Sequence, residues 1–189
     1  MSEPVLVSLH HKTHVAELWH GRTGCAEDFV GSEIPGGYVE LLQKLYAMLC
    51  EQHLHTMGQP LNLAVSSSIW ARAALLAKQG GLPLRFIITP FASLPWKDAA
   101  LDNVAVSTEQ AERYIRNIYR EAEYVLHPRT AAAYYALQTH RARLAEATPS
   151  LILAAQSPFH AEKDILAQLG LDAPLQDVIN RSRKRFQEY

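Results

Sequence analysis

One stretch constrains the fold of this chain more than any other. Leu61 to Val65 is an apolar run of strand length. Ser66-Ser67-Ser68 then offers N-cap candidates for a helix reaching about Gln79. Gly80-Gly81-Leu82-Pro83 stops that helix, and Leu84-Arg85-Phe86-Ile87-Ile88-Thr89 reads as a second strand. Strand, helix and strand joined by short loops make a βαβ unit, which pairs its strands in parallel through a right-handed crossover.

The flanks extend the pattern. Val5-Leu6-Val7-Ser8-Leu9 and Val15-Ala16-Glu17-Leu18-Trp19 are β-prone, and the polar His10-His11-Lys12-Thr13 between them predicts a hairpin. A glycine-bearing loop from His20 to Gly37 precedes a helix over about Tyr38 to Gln52, whose Val39, Leu42, Leu45, Tyr46 and Leu49 share one face. Pro90 to Asn103 reads as irregular. Ser107 and Gln110 form a capping-box pair opening a helix to about Glu123, with Ala111, Tyr114, Ile115, Ile118 and Ala122 on its buried side. A helix follows from Thr130 to about Leu144, then a core strand from Leu151 to Ala155 and a helix from Ala161 to Leu169. The last helix spans Leu175 to Gln187, with basic residues toward its end, where they suit the helix dipole. The alternation predicts a three-layer α/β/α sandwich around a mostly parallel sheet, with the amino-terminal hairpin attached. Ligands of such folds sit at the carboxyl ends of the strands, here Ser66, Thr89 and Gln156.

Composition narrows the function classes. At 189 residues the chain reads as a single domain, residues 1–189, and 48% apolar with 20% charged residues suits a globular protein. A net charge of −1 gives no electrostatic reason to expect nucleic acid or an acidic membrane as partner. No apolar stretch approaches the ~20 residues that span a bilayer. Met1-Ser2-Glu3-Pro4 lacks the basic start and apolar run of a signal peptide. Cys25 and Cys50 stand far apart, in keeping with reduced thiols, and the expectation is a cytoplasmic protein.

Several segments, in order, resemble the pyridoxal-phosphate-dependent threonine synthases. Glu17-Leu18-Trp19-His20-Gly21-Arg22-Thr23, with Asp28-Phe29 behind it, is similar to the family's Leu-Phe-His-Gly-Pro-Thr-x-Ala-Phe-Lys-Asp-Phe. Val65-Ser66-Ser67-Ser68, leading to Leu75-Leu76-Ala77-Lys78 and Gly81-Leu82-Pro83, resembles the phosphate loop and its helix. Tyr124-Val125-Leu126-His127-Pro128-Arg129-Thr130-Ala131 is similar to Gly-Tyr-x-x-Asp-Pro-His-Thr-Ala, and Ala133-Tyr134-Tyr135-Ala136-Leu137 continues the match. Thr148-Pro149 through Leu153-Ala154-Ala155-Gln156-Ser157-Pro158 resembles the Thr-Ala-His-Pro strand end. The chain is far shorter than the family. The resemblance implies a missing portion between Phe29 and about Ser32, which would take most of the small domain that covers the cofactor.

The resemblance implies pyridoxal phosphate, yet the contacts it implies are altered. Chemistry of that class needs a lysine to condense with the cofactor aldehyde. The family's lysine, two residues before phenylalanine, corresponds to Glu27, and a carboxylate forms no imine. The glycine-bearing Ser-Gly-Asn-Phe-Gly loop corresponds to Ser66-Ser67-Ser68-Ile69-Trp70, which has no glycine. The hydroxyl that bonds the pyridine nitrogen corresponds to Ala155. The expectation is therefore no cofactor, no catalytic residue and no resident metal, with a remnant cleft lined by His20, Arg22, Thr23, Glu27, Ser66, Ser67, Ser68, Gln156 and Ser157. A helix N-terminus bearing hydroxyls can attract an anion, while plain N-capping explains the same serines.

His10, His11, His14 and His20 invite a metal reading, but no Cys or acidic ligand completes a recognisable spacing, and hairpin-surface histidines are the simpler account. As strand residues His10 and His14 would share a face. His53 and His55 read as surface residues near a helix end, and Tyr134 and Tyr135 as divided between core and surface. Arg181, Arg183, Lys184 and Arg185 read as a solvated helix end.

Three functional expectations follow. One is a non-catalytic threonine-synthase-like protein that binds a small anionic molecule or a protein partner through the cleft. Another is an enzyme of altered chemistry using Glu27, Asp28, His20 and the Ser66–Ser68 cluster as acid, base and anion site. The last is an assembly role, in which surface uncovered by loss of the small domain is covered by homodimerisation.

Overall fold

The computed structural model of the chain describes residues 5–10, 13–20, 38–65, 68–88, 102–103, 106–144, 150–154, 158–183 and 186–188. Strands β1 (Val5–His10) and β2 (Val15–His20) form the expected hairpin, in antiparallel register from Val5 opposite His20 to Leu9 opposite Ala16. The chain continues through α1 (Tyr38–Glu51), β3 (Leu61–Val65), α2 (Ser68–Gln79) and β4 (Leu84–Ile88). Then come β5 (Asp102–Asn103), α3 (Thr108–Ala122), α4 (Pro128–Leu144) and β6 (Ser150–Leu153). A 3-10 turn at Pro158–Ala161, α5 (Glu162–Leu169), α6 (Leu175–Arg183) and β7 (Phe186–Glu188) complete the described elements.

The strands lie in one sheet in the order β5-β4-β3-β6-β2-β1-β7. From β5 to β2 every neighbouring pair is parallel, whereas β1 and β7 are antiparallel additions at one edge. The βαβ unit read from residues 61–89 is β3-α2-β4, with Leu61 opposite Leu84 through Val65 opposite Ile88.

Side chains alternate between the two faces of the sheet, as strand geometry requires. Leu9, Ala16, Leu61, Leu63, Val65, Leu151 and Leu153 face α1 and α2, packing against Leu42, Leu45, Leu49, Trp70, Ala74 and Ala77. Val15, Ala64, Ile152 and Ala154 face the other way, against Ile115 and Ile118 of α3 and Ala132, Ala133 and Leu137 of α4. Small residues on α4 let it lie close over the sheet. A third cluster joins Val125, Ile165, Leu175, Val178 and Ile179, docking α5 and α6. The layers are thus helix, sheet and helix.

Several local expectations are corrected. The final helix ends at Arg183, and Phe186 to Glu188 instead pair with β1, Ser8 facing Glu188 and His10 facing Phe186. An open strand edge supplies backbone hydrogen-bond partners that a fraying helix end lacks. β5 lies inside the stretch read as irregular. α4 starts at Pro128 rather than Thr130, because proline suits the first helical position and His127 caps it: its Nδ1 accepts the Arg129 N–H at 3.1 Å. His10 is buried rather than on the surface, whereas His14 is exposed in the turn at φ 58°, so the two share no strand face. His55 is also buried; its Nε2 and the Tyr46 hydroxyl both reach the Gln59 carbonyl at 2.9 Å. Tyr134 and Tyr135 are both half-buried and pack against Tyr114, instead of dividing between core and surface.

Candidate functional site at the carboxyl ends of β3 and β6

The connections determine where a ligand could enter. From β3 the chain passes into α2 on one face and steps outward to β4 and β5. It returns through α3 and α4 on the opposite face to reach β6, which lies on the other side of β3. β3 and β6 are therefore neighbours whose outgoing chains diverge: α2 lies on one face, and α5 packs with α3 on the other. A crevice opens at the carboxyl ends of parallel strands where the strand order reverses in this way. Register carries β2 to the same rim, since Ala16 lies opposite Leu153 and the Ala154 N–H donates to the Ala16 carbonyl at 3.0 Å.

Of the sequence-derived site residues, two are among the described ones. His20 is the last residue of β2 and Ser68 the first of α2, which places their backbones at this rim. Arg22, Thr23, Glu27, Ser66, Ser67, Gln156 and Ser157 lie outside the described residues, as do Ala155 and the rest of residues 21–37 beyond β2. Ser66 directly follows β3, and Gln156 comes three residues after Leu153 of β6.

Beneath the rim, on the α4 face, lies a buried polar cluster that the sequence reading did not single out. The β1 and β2 register puts His10 beside Val15, and Glu17 two residues on shares that face. His10 is 1% exposed, Glu17 7% and Tyr124 3%. The Tyr124 hydroxyl donates to Glu17 Oε1, and its ring lies 4.8 Å from the His10 ring. His10 Nδ1 accepts the Thr13 backbone N–H at 3.2 Å and contacts Thr13 Oγ1 at 2.9 Å. An N–H only donates, so Nδ1 is the bare nitrogen and the ring proton sits on Nε2. Thr13 Oγ1 accepts in turn from the Val15 N–H at 3.3 Å, tying the turn to β2. On the same face, Asn62 donates to Ser150 Oγ at 3.4 Å across the β3–β6 pair. The signal for Glu17 was present in the sequence: period-two alternation puts it on the same side as Val15.

A Schiff-base cofactor would need an amine at the rim, and the described lysines can be placed. α2 runs back from the carboxyl end of β3 to the amino end of β4, so Lys78 in its last turn lies at the opposite end of the sheet. Lys44 on α1 and Lys163 on α5 are exposed. Lys12, Lys97 and Lys184 lie outside the described residues. Among the described residues no group of three His, Cys, Asp or Glu side chains could hold a metal ion, and no helix is long and apolar enough to cross a membrane.

No family profile matches the chain, and no curated protein matches it. Solved structures do. PLP-bound threonine synthase from Brucella melitensis is similar with a TM-score of 0.52 at 12% identity, over 73% of this chain and 45% of that one. Threonine synthase from Escherichia coli matches at 0.49 and 23% identity, over 66% and 39%. A fungal L-serine ammonia-lyase from Rhizomucor miehei matches at 0.45 and 13% identity, over 80% and 56%. The chain thus spans less than half the length of either threonine synthase. At such identities the likeness is one of architecture alone, and the Brucella structure carries it: the chain shares the α/β fold of that threonine synthase over part of its length.

Proposed function

We propose that the chain is a threonine-synthase-like protein that performs no imine chemistry and recognises a small anionic molecule in the crevice between β3 and β6. The observation that carries this reading is the strand-order reversal at those two strands, the place where open α/β sheets hold their ligands whichever cofactor they use. The amine census supports the cofactor half of it. Glu27 stands where the family resemblance would put the lysine, and the described lysines are exposed or at the far end of the sheet. On that correspondence these residues do not fit a resident pyridoxal phosphate. The anionic preference rests on the start of α2, where backbone N–H groups left without helical partners follow a run of serine hydroxyls.

Two measurements test the reading. Added pyridoxal phosphate is expected to give no imine absorbance band; a band that disappears on borohydride reduction, leaving one labelled lysine, overturns the cofactor half. Inorganic phosphate, phosphate esters and amino acids are expected to include a compound that raises the melting temperature further with each increase in its concentration, following the logarithm of one plus the ratio of ligand concentration to Kd. A melting temperature unmoved across that panel counts against the crevice as a binding site.

A further inference from the structure

We draw no further inference here: the strongest candidate, the buried His10–Thr13–Glu17–Tyr124 cluster between the β1–β2 hairpin and the α3–α4 connection, belongs to the site already described, where its contacts are with the fold's own core and point to no ligand.

Discussion

Among the described residues, Glu17 is a carboxylate buried in the core. A carboxylate in a core strand is tolerated only with hydrogen-bond partners, and the Tyr124 hydroxyl is one of them. Replacing Tyr124 by phenylalanine keeps the ring packed beside His10 but removes that donor. The expected cost is about 1–3 kcal/mol, as for a buried acceptor that loses a partner. Urea unfolding of Tyr124→Phe, Glu17→Gln and the double variant checks it; costs that simply add would mean the two side chains are not coupled. Tyr114 makes a different kind of prediction. Burial raises its phenol above the usual value, Tyr135 and Glu121 push the same way, and Arg113 opposes them. A proton held more tightly in the folded state contributes stability that is complete below the unfolded value of about 10 and lost as pH rises through the folded one. The Tyr114→Phe variant is therefore expected to keep more of its neutral-pH stability in alkali than the parent does. Denaturation midpoints at neutral and alkaline pH measure this, and parallel loss in both proteins would refute it. Glu17 could be read from strand alternation, but its partner could not: Tyr124 lies 107 positions away along the chain.

At the scale of elements, local chemistry was the most legible. The capping box at α3 is present in both directions: Gln110 N–H donates to Ser107 Oγ at 3.1 Å, and Ser107 N–H donates to Gln110 Oε1 at 2.9 Å. Ser107→Ala is expected to cost about 1 kcal/mol of stability, whereas Ser107→Asp retains most of it, because either cap oxygen satisfies the same N–H. Thermal unfolding of both variants distinguishes this from a general surface effect, which would move the two alike. Gly81, at φ 102°, ends α2 in a backbone conformation that a side chain would strain, and so the Gly-Gly-Leu-Pro stop signal was readable. The β7 assignment failed for the opposite reason. Residues 175–187 are helix-compatible throughout, and only the edge of β1, nearly the whole chain away, offers Phe186 to Glu188 a ladder. Likewise β5 is a two-residue strand with too little sequence to show a period.

The whole molecule is held by one sheet between helical layers, with its hairpin edge covered in part by β7. Removing residues 186–189 is expected to raise amide exchange at Ser8 to His10 while leaving β3 and β6 protected, because a bared edge opens locally before the core does. Exchange that rose equally in all strands would show instead that β7 stabilises the entire fold. The amino-acid sequence by itself determined most of the elements and the pairing sense of the hairpin and of β3-α2-β4, because turn residues, caps and apolar periodicity act over a few neighbours. Only the tertiary structure decided that β6 inserts between β3 and β2, so that the strand order reverses there, and that Glu17 meets Tyr124. Those outcomes depend on contacts between distant segments, which are selected by packing the two faces of the sheet together and leave no periodic trace in any local stretch of chain.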